Sequence, residues 1–577
     1  MLYYPLVFEK GAEILHYALI AIMALILLRC AFSLLFSDSK NEVWGTLVDK
    51  KGTSYDLTHW ENLIGRSSGA DVRINKKTVS PVHAALVRDN EGAWTVSDLG
   101  SREGTILRGK MIKKRQRINS GDTLTIGGTE LTFTRTTKKM EENLEITRED
   151  ASKGTGAWLC ILLLSAFVCI LAFELFKNLD SALTVNVLFA FGSVLILSWG
   201  TFILTLSARR RGFELETIAF LLTSVGFAVC LTSDAKNVFK LGICLAIGVV
   251  LYFAMCWFLR DQKRVNLLRV PIAGLGLVLL GVNLASASTL LGAKNWLNIG
   301  GVSFQPSEIV KIAFIFAGSV GLERIFSKGN VVLFMAFSAI CVGCLAVMRD
   351  FGTALIFFTV YLIIAFMRSG SFATVFMSAL GALLAAVIAI TARPYIADRF
   401  AVWGHAWEDA ANLGYQQTRT MTAVASGGLF GLGGGKGWFN SVFAADTDMV
   451  FGVICEEYGF IIAALCVLFI AFLGFAAVKS VKNARSSFYA IAACAAASFC
   501  IAGLILNVFG SVDILPFTGV TFPFVSKGGT SLIASWGMLS FLKAADTRPM
   551  TSFAVLPPGT RAKKKRKPKK EAPDEEA

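Results

Sequence analysis

Apolar segments long enough to span a membrane recur along most of the chain. A hydrocarbon core about 30 Å thick requires about 20 consecutive apolar residues of helix. About thirteen segments approach this length, and they lie near 12–36, 156–176, 183–207, 213–233, 238–259, 267–286, 305–327, 330–348, 352–369, 373–391, 448–478, 487–511 and 522–544. The pattern predicts a polytopic α-helical membrane protein.

Two polar stretches interrupt this pattern. Residues 43–137 contain short alternating runs separated by Gly, Asn and Asp turns, which is typical of an all-β sandwich. The segment Arg393–Glu457 begins with a long loop rich in Trp, Gly and acidic residues, unlike the composition of disordered chains. Because a connection of that length is usually functional, we expect a folded loop that carries chemistry.

Changes of composition divide the chain into several parts. The first apolar segment is long and its basic residues follow it, which favours an uncleaved anchor over a signal peptide. A charged run predicts a linker after the sandwich, and the loss of hydrophobicity after 545 predicts a disordered tail. The expected parts are an anchor (1–42), the sandwich (43–137), the linker (138–155), additional helices (156–212), a membrane core (213–545) with a large loop (392–446), and the tail (546–577).

Charge predicts the orientation of the chain. The formal net charge is +15 in a chain that is 54% hydrophobic. Lys and Arg concentrate in short loops that would share a side with the sandwich, namely 209–211, 260–269, 323–329, 367–368 and 479–486, and in the tail at 563–570. By the positive-inside rule we expect the sandwich and the C-terminus in the cytoplasm and the 392–446 loop outside. Topology, with contact between the tail and anionic membrane lipids, accounts for the charge, so we predict no nucleic-acid partner.

Three motifs stand out in the sandwich, and they are Gly65–Ser67, Ser80–His83 and Asp98–Thr105. They supply the guanidinium and hydroxyl groups that phosphate recognition uses. This pattern resembles the forkhead-associated (FHA) domain, a β-sandwich that binds phosphothreonine. The resemblance implies that Arg66, Ser67 and Ser80 contact the phosphate of a phosphothreonine protein ligand, while His83 braces the loop. Glu103 stands where the family usually has Asn, so a structural or docking FHA domain without phosphate binding remains the alternative.

A second set of motifs lies in order along the membrane core. They are GAKNWLNIGGVSFQPSEIVKI (292–312), RDFGTAL (349–355), GYQ (414–416), SGGLFGLG (426–433), TDMVF (447–451), EEYGF (456–460) and LPFTGVTFPFVSKGGTSLIASWG (515–537). The set resembles the SEDS family, the RodA/FtsW proteins of bacterial cell-wall synthesis. This resemblance implies a ten-helix core over about 213–545, with about three extra N-terminal helices and the inserted FHA sandwich as additions. It also implies a peptidoglycan glycosyltransferase that polymerises lipid II beside a class B penicillin-binding transpeptidase.

The resemblance also suggests roles for individual residues outside the membrane. Asp409 matches the loop carboxylate of the family and is expected to be the general base for the acceptor hydroxyl, with Glu408 as its local rival. A cap of a loop helix is the alternative role for Asp409. Lys294 is expected to pair with the diphosphate and Trp296 to stack on sugar, although Trp296 also suits a membrane-interface anchor. Gln416, in the GYQ motif, is a further expected substrate contact.

Two charged residues are expected inside a span. Glu308 and Lys311 lie three residues apart on one helix face, so we expect them to pair with each other and shape the substrate cavity. The His and Cys residues show no metal-binding spacing. No cofactor is predicted with certainty, and a divalent cation (Mg²⁺ or Mn²⁺) near the diphosphate is left open.

Some positions depart from the family pattern. Asn295 replaces a common Arg, which removes one cation near the expected diphosphate site, and Lys527 replaces a Tyr. The glycine run 431–437 lacks the spacing of a phosphate-binding P-loop, so we expect a flexible loop that cradles substrate. A flippase for lipid-linked precursors and a catalytically weak scaffold that recruits phosphorylated partners are the competing hypotheses. A role in elongation, division or sporulation is left open.

Overall fold

The structure is a computed structural model that describes residues 3–36, 43–89, 92–136, 156–210, 212–286, 288–290, 293–299, 302–325, 328–392, 402–546 and 548. The expected linker and nearly all of the expected tail lie outside these ranges. The described helices are α1 (Tyr3–Phe36), α2 (Ala157–Asn178), α3 (Thr184–Ser207), α4 (Glu214–Asp234), α5 (Val238–Leu259), α6 (Gln262–Ser286), α7 (Pro306–Gly318), α8 (Leu322–Ile325), α9 (Lys328–Val347), α10 (Phe351–Ser369), α11 (Phe372–Ala392), α12 (Tyr415–Gly427), α13 (Val450–Asn483), α14 (Ser487–Ser511) and α15 (Gly529–Ala545).

The helices make this chain a multi-pass membrane protein. Within the described ranges, nine helical stretches are long and apolar enough to cross a membrane, and one of them, Glu214–Leu259, contains both α4 and α5. The sequence predicted about thirteen spans, which is more than nine, because α4 and α5 count here as one stretch and some apolar segments form shorter helices. The segment 305–327 forms the 13-residue α7, which ends before Ser319, a residue with an extended backbone. The segment 522–544 forms the 17-residue α15.

The polar region near the N-terminus folds as the expected β-sandwich. Its strands are β1 (Gly45–Asp49), β2 (Ser54–Leu57), β3 (Glu61–Gly65), β4 (Val72–Arg73), β5 (Ala84–Arg88), β6 (Trp94–Asp98), β7 (Thr105–Leu107), β8 (Lys110–Met111), β9 (Gln116–Ile118), β10 (Thr123–Ile126) and β11 (Thr129–Arg135). One sheet has the order β2-β1-β11-β10-β7-β8 and the other β4-β3-β5-β6-β9. Leu47, Leu86, Trp94 and Phe133 are among the side chains of the core between them.

A small antiparallel sheet precedes α7, where the sequence indicated only a loop between spans. Its strands are β12 (Ser288–Leu290), β13 (Ala293–Ile299) and β14 (Val302–Phe304), in the order β12-β13-β14. The sheet contacts α6 and α7 through β13. The segment with the expected sugar and diphosphate contacts therefore forms β-strands and is not an irregular loop.

The N-terminal helices are packed into the membrane core. Helix α1 contacts α2 and α13, and α2 contacts α4. A buried polar cluster fixes the end of α1, because Arg548 donates hydrogen bonds to Ser33 Oγ at 2.8 Å and to Glu214 Oε2 at 3.1 Å. The helices that precede the core are thus structural parts of it.

Helix α14 separates the two polar regions. It has 25 residues, which corresponds to about 37 Å. The Ser487 N–H at its first end donates to Glu61 of the sandwich at 2.9 Å. Asp513, just beyond its other end, accepts from the Gly404 N–H at 3.1 Å. The sandwich and the loop around Asp409 therefore lie at opposite ends of the membrane core.

Candidate functional site

The loop that carries Asp409 is folded against the end of α14. The Gly404 N–H donates to Asp513 Oδ1 at 3.1 Å, and the Ala406 N–H donates to Oδ2 at 3.3 Å. The Trp403 indole N–H donates to the carbonyl oxygen of Ile514 at 3.0 Å. For the described part of the loop, the expectation of a folded segment is confirmed.

Asp409 lies among the turns that lead into α12, and its side chain is half-buried. Its Oδ1 accepts a hydrogen bond from Asn412 Nδ2 at 2.8 Å, and Oδ2 accepts one from the Leu413 N–H at 3.2 Å. The carboxylate thus closes its own turn, and it does not cap α12, which follows Gly414. Each carboxylate oxygen has a second lone pair, so the same group can also take a proton from a substrate hydroxyl.

Glu408 and Gln416, near Asp409, differ in their hydrogen-bond partners. Glu408 is exposed, and its N–H donates to the His405 carbonyl at 2.9 Å. Gln416 Nε2 donates to the Phe443 carbonyl at 3.3 Å, which joins the start of α12 to the segment before α13. Gln416 therefore connects the Asp409 loop to the segment that precedes the TDMVF motif.

Asp350 connects the small sheet to the start of α10. Its Oδ1 caps α10 by accepting from the Thr353 N–H at 3.1 Å. Its Oδ2 accepts from Asn295 Nδ2 at 3.1 Å and from Gln305 Nε2 at 3.4 Å. Asn295, which replaces the usual Arg, is therefore an amide partner of a buried carboxylate.

The predicted substrate residues of the small sheet lie on β13. Lys294 and Trp296 are two residues apart on that strand, and Trp296 is half-buried opposite Ser288. The side chain of Lys294 lies outside the described part of the structure.

Glu308 and Lys311 form the expected ion pair inside the membrane core. The distance from Lys311 Nζ to Glu308 Oε1 is 2.7 Å, and both side chains are buried. Glu308 Oε2 has no hydrogen-bond partner among the described residues. The pairing is confirmed, and the role in shaping a substrate cavity stays a prediction.

Lys527 joins three segments at the Asp409 end of the core. Its Nζ lies 2.8 Å from Asp234 Oδ2, at the end of α4, and 2.7 Å from Asp446 Oδ2, before α13. Ser233 Oγ also donates to Asp446, at 3.1 Å. The lysine that departs from the family pattern thus has two carboxylate partners, which sequence reasoning missed because they lie far away in the chain.

A further carboxyl near this ion triad is hard to ionise. Burial raises the pKa of Asp448 to about 6, and the negative charges of Asp446 and Asp350 act in the same direction. Across the described ranges, no group of three or more His, Cys, Asp or Glu residues is arranged to hold a metal ion. The acidic residues here act on one another and on Lys527.

Lys527→Met is expected to destabilise the folded protein more at neutral pH than in acid. The substitution leaves the carboxylates of Asp234 and Asp446 without their shared cation, which is costly while both are ionised. Protonation of the carboxyls in acid removes this cost and also breaks the ion pairs of the parent. The melting temperature in nanodiscs should therefore lie further below that of the parent at about pH 7 than at about pH 4. Lys436→Met, at an exposed lysine, is the control, and a difference independent of pH would contradict the expectation.

The glycine run 431–437 is closely packed. Gly431 has φ +84°, and a Cβ atom there would lie 2.4 Å from the carbonyl oxygen of Glu457. The Glu456 carboxylate accepts from the N–H groups of Trp438 and Phe439 at 3.2 and 2.9 Å. The expectation of a flexible loop is wrong, because the glycines let this segment pack against the kinked helix α13.

The FHA recognition loops meet at one end of the sandwich. The Arg66 N–H donates to the Ser80 carbonyl at 3.0 Å, and the Arg102 N–H donates to Ser80 Oγ at 3.1 Å. Gly65 permits this approach, because a Cβ atom there would lie 2.1 Å from the Pro81 carbonyl oxygen. The Arg66 side chain is exposed, whereas Ser80 is buried.

The other recognition residues stabilise the same loops. Ser67 Oγ accepts from the Gly69 N–H at 3.3 Å. The buried His83 accepts the Ser80 N–H at Nδ1, at 3.2 Å, so the proton resides on Nε2, which lies 3.2 Å from the Gly104 carbonyl. His83 braces two loops, as the resemblance implies. Glu103 is exposed beside them.

Comparison with known protein families matches both parts of this chain. The family of FtsW, RodA and SpoVE, described as cell cycle proteins, matches residues 215–549, and the FHA domain matches residues 62–127. The first match covers more than half of the sequence. The chain belongs to the FtsW/RodA/SpoVE family and contains an FHA domain.

The matches to several curated relatives cover most of the length of each relative. Peptidoglycan glycosyltransferase RodA of Mycobacterium tuberculosis is 26% identical over 341 residues, which is 54% of this chain and 73% of the relative. Probable peptidoglycan glycosyltransferase FtsW of Borreliella burgdorferi is 29% identical, over 49% of this chain and 80% of its own. Stage V sporulation protein E of Bacillus subtilis is 28% identical, over 42% of this chain and 68% of the relative.

Solved structures also resemble the chain. RodA of Thermus thermophilus is 22% identical with a TM-score of 0.43, over 58% of this chain and 97% of its own. A chain of a peptidoglycan synthase complex is 22% identical with a TM-score of 0.49, over 58% of this chain and 98% of its own length. A phosphothreonine-dependent FHA domain is 25% identical with a TM-score of 0.16, over 16% of this chain and 98% of its own length.

Proposed function

We propose that this protein polymerises lipid II into glycan strands during cell elongation, division or sporulation, with Asp409 as the general base. The observation that carries the proposal is the half-buried Asp409 carboxylate on an anchored loop at the end of a FtsW/RodA/SpoVE membrane core. Relatives that align over this core are named as peptidoglycan glycosyltransferases. An enzyme is therefore favoured over a flippase, which needs no base on this loop.

The reaction makes three demands on the site. A sugar hydroxyl attacks an anomeric carbon and must lose its proton, which a carboxylate can accept. The transition state resembles an oxocarbenium ion, and nearby negative charge stabilises it. The departing lipid diphosphate needs a cation, and Lys294 is the proposed donor. Trp296 and Gln416 are the proposed sugar contacts.

The proposed cavity extends into the membrane core. The buried pair of Glu308 and Lys311 is costly in an apolar environment unless it faces the protein interior. Its unpartnered oxygen, Glu308 Oε2, supplies an acceptor for a polar part of the substrate. We assign this pair to substrate binding, and a divalent cation near the diphosphate is compatible with the assignment.

The proposed sidedness rests on charge. The basic loops lie at the sandwich end of the helices, so the positive-inside rule puts the FHA domain in the cytoplasm. The Asp409 loop, at the opposite end, then faces the exterior, where lipid II is polymerised by the family. Cross-linking requires a second enzyme, and a class B penicillin-binding transpeptidase is the proposed partner.

Reconstitution with lipid II tests the proposed activity. The full chain in proteoliposomes, with and without a co-expressed class B transpeptidase, is expected to produce glycan strands that are resolved by gel electrophoresis. Failure in the presence of a bound partner would overturn the enzyme proposal. Transport of lipid II between leaflets without polymer would support the flippase alternative instead.

The proposed FHA ligand is phosphothreonine within an acidic segment. The three recognition loops expose Arg66, Lys76, Lys77 and Arg102, and Glu103 is an exposed acid among them. Phosphate and neighbouring carboxylates would both be attracted to these cations. Control of the enzyme by a Ser/Thr kinase follows from such a ligand.

Peptide binding by the full chain should depend on these charges. We expect Arg66→Ala to weaken binding of an acidic phosphothreonine peptide library by about tenfold or more, because a charge-assisted hydrogen bond is lost. Glu103→Asn should strengthen binding by removing a repulsive charge. Fluorescence anisotropy measures both, with Lys50→Ala on the opposite sheet as control. Equal affinity for Arg66→Ala and the parent would contradict the ligand assignment.

A further inference from the structure

The central strand of the second FHA sheet, β5, is buried on both faces. Every residue of β5 is buried, although an antiparallel sheet over a single core normally alternates buried and exposed positions. Ala84 and Leu86 belong to the core of the sandwich. Ala85 and Val87 belong instead to the apolar cluster of the membrane helices. The membrane core therefore covers the outer face of this sheet.

Strand register identifies the residues of that outer face. Leu63 pairs with Ala85, and Glu61 pairs with Val87, between β3 and β5. Ser97 on β6 pairs with Ala85. Directly paired residues point to the same side of a sheet. We call the surface formed by Glu61, Leu63, Ala85, Val87 and Ser97 the docking face.

Glu61 is the polar centre of the docking face. Its Oε1 accepts from Ser486 Oγ at 2.8 Å and from Gln262 Nε2 at 3.3 Å. Its Oε2 accepts from the N–H groups of Ser487 at 2.9 Å and Leu322 at 3.0 Å. One carboxylate thus holds the beginnings of α6, α8 and α14 together, and its charge is favourable at the N-terminus of α14.

Two further contacts flank Glu61. The Arg485 guanidinium lies 4.2 Å from the centroid of the Trp60 ring, within the range of a cation–π interaction. Glu323 accepts from Ser97 Oγ at 3.1 Å and lies 3.3 Å from Arg115 Nη1. Apolar, ionic and hydrogen-bonding contacts therefore act on the same face.

The phosphate-recognition residues lie away from the docking face. Arg66 and Arg102 remain exposed while the sheet is covered. We propose that the FHA domain works in this docked form, with Glu61 latching the sheet to the membrane core while a phosphothreonine partner occupies the open Arg66 loops. The bound partner is then carried by a domain that is fixed to the ends of α6, α8 and α14, not by a domain on a loose tether. The phosphothreonine ligand rests on the proposed function, whereas docking does not.

Thiol labelling of the full chain in lipid nanodiscs tests the docking. Val87→Cys puts a reporter on the docking face, and Thr132→Cys puts one on an exposed position of the other sheet. Both are made with Cys169→Ser, which removes an exposed native thiol. Val87→Cys is expected to react with a bulky maleimide about tenfold or more slowly than Thr132→Cys, because labelling requires opening of the interface. Equal rates would overturn docking.

Release variants test the latch. Glu61→Ala should accelerate labelling of Val87→Cys about tenfold or more, because the buried donors of the core lose their acceptor. Ala85→Glu, which puts a charge on the apolar part of the docking face, is the second release variant. Glu130→Gln, at an exposed acid paired with Lys50 within the sandwich, is the matched control and should change nothing. Slow labelling in both release variants would overturn the role of the docking face.

Peptide binding tests whether the docked form is the working form. With an acidic phosphothreonine peptide library, Glu61→Ala should keep the parent affinity while Arg66→Ala loses it. Saturating peptide should leave labelling of Val87→Cys slow. Faster labelling with peptide would overturn the proposal, because binding would then require release. If no peptide binds, the ligand part of the proposal falls, and the labelling rates still decide docking.

Discussion

Asp409→Asn is expected to abolish glycan polymerisation while the loop around it keeps its fold. The asparagine oxygen can still accept a hydrogen bond from Asn412 or Leu413, so the turn remains closed. The amide cannot take a proton from the acceptor hydroxyl. Loss of a general base typically lowers the rate by about 10²–10⁴-fold, and loss of the stabilising charge adds to this.

Lipid II polymerisation by reconstituted protein measures this effect, and the comparison between variants separates the two roles of Asp409. If Asp409 only caps its turn, Asp409→Asn will retain activity and Asp409→Ala will lose it. If Asp409 is the base, both variants will be inactive, and Asp409→Asn will keep the melting temperature of the parent. Glu408→Gln is the control, because this neighbouring acid is exposed and should be dispensable.

Lys543→Met is expected to destabilise the folded protein by about 3–5 kcal/mol, because it leaves a buried carboxylate without its partner. Lys543 Nζ lies 2.8 Å from Glu216 Oε1, and both side chains are fully buried. The same ammonium group donates to the Gly212 carbonyl at 2.8 Å. The Tyr252 hydroxyl also donates to Glu216 Oε1. This network joins the first turn of α4 to α5 and to the last turn of α15.

Thermal unfolding in nanodiscs measures the loss, and a double substitution tests its cause. Glu216→Gln combined with Lys543→Met removes the unpaired charge and keeps an acceptor for Tyr252. We expect the double variant to be more stable than Lys543→Met alone, since the cost lies in the lone carboxylate. Strictly additive losses would indicate that packing, not charge, is responsible.

The sequence alone determined the class of this protein and the order of its parts. Apolar segments and the alternation in 43–137 are local patterns, so they predicted membrane helices and a β-sandwich directly. The motifs around Asp409 and Arg66 are also short and contiguous, so the expected family and FHA domain could be found without a structure. The pair of Glu308 and Lys311 was predictable because its members are three residues apart on one helix.

Tertiary structure decided which distant residues meet. Lys527 stands out in the sequence as a departure, but its partners Asp234 and Asp446 belong to separate segments, and no local pattern identifies them. Glu61 gave no signal at all, since an acid at the start of a strand is ordinary until helix ends are packed against it.

Packing also decided the limits and surroundings of elements. Hydrophobicity could not show that α7 stops at Gly318, or that the glycine run at 431–437 packs tightly against α13. The sequence of β5, AALVR, is a short apolar run, which does not show what covers its second face, and contact with the membrane helices decides this. Pairing, docking and helix length depend on the free energy of whole surfaces in contact, which the composition of a single segment does not contain.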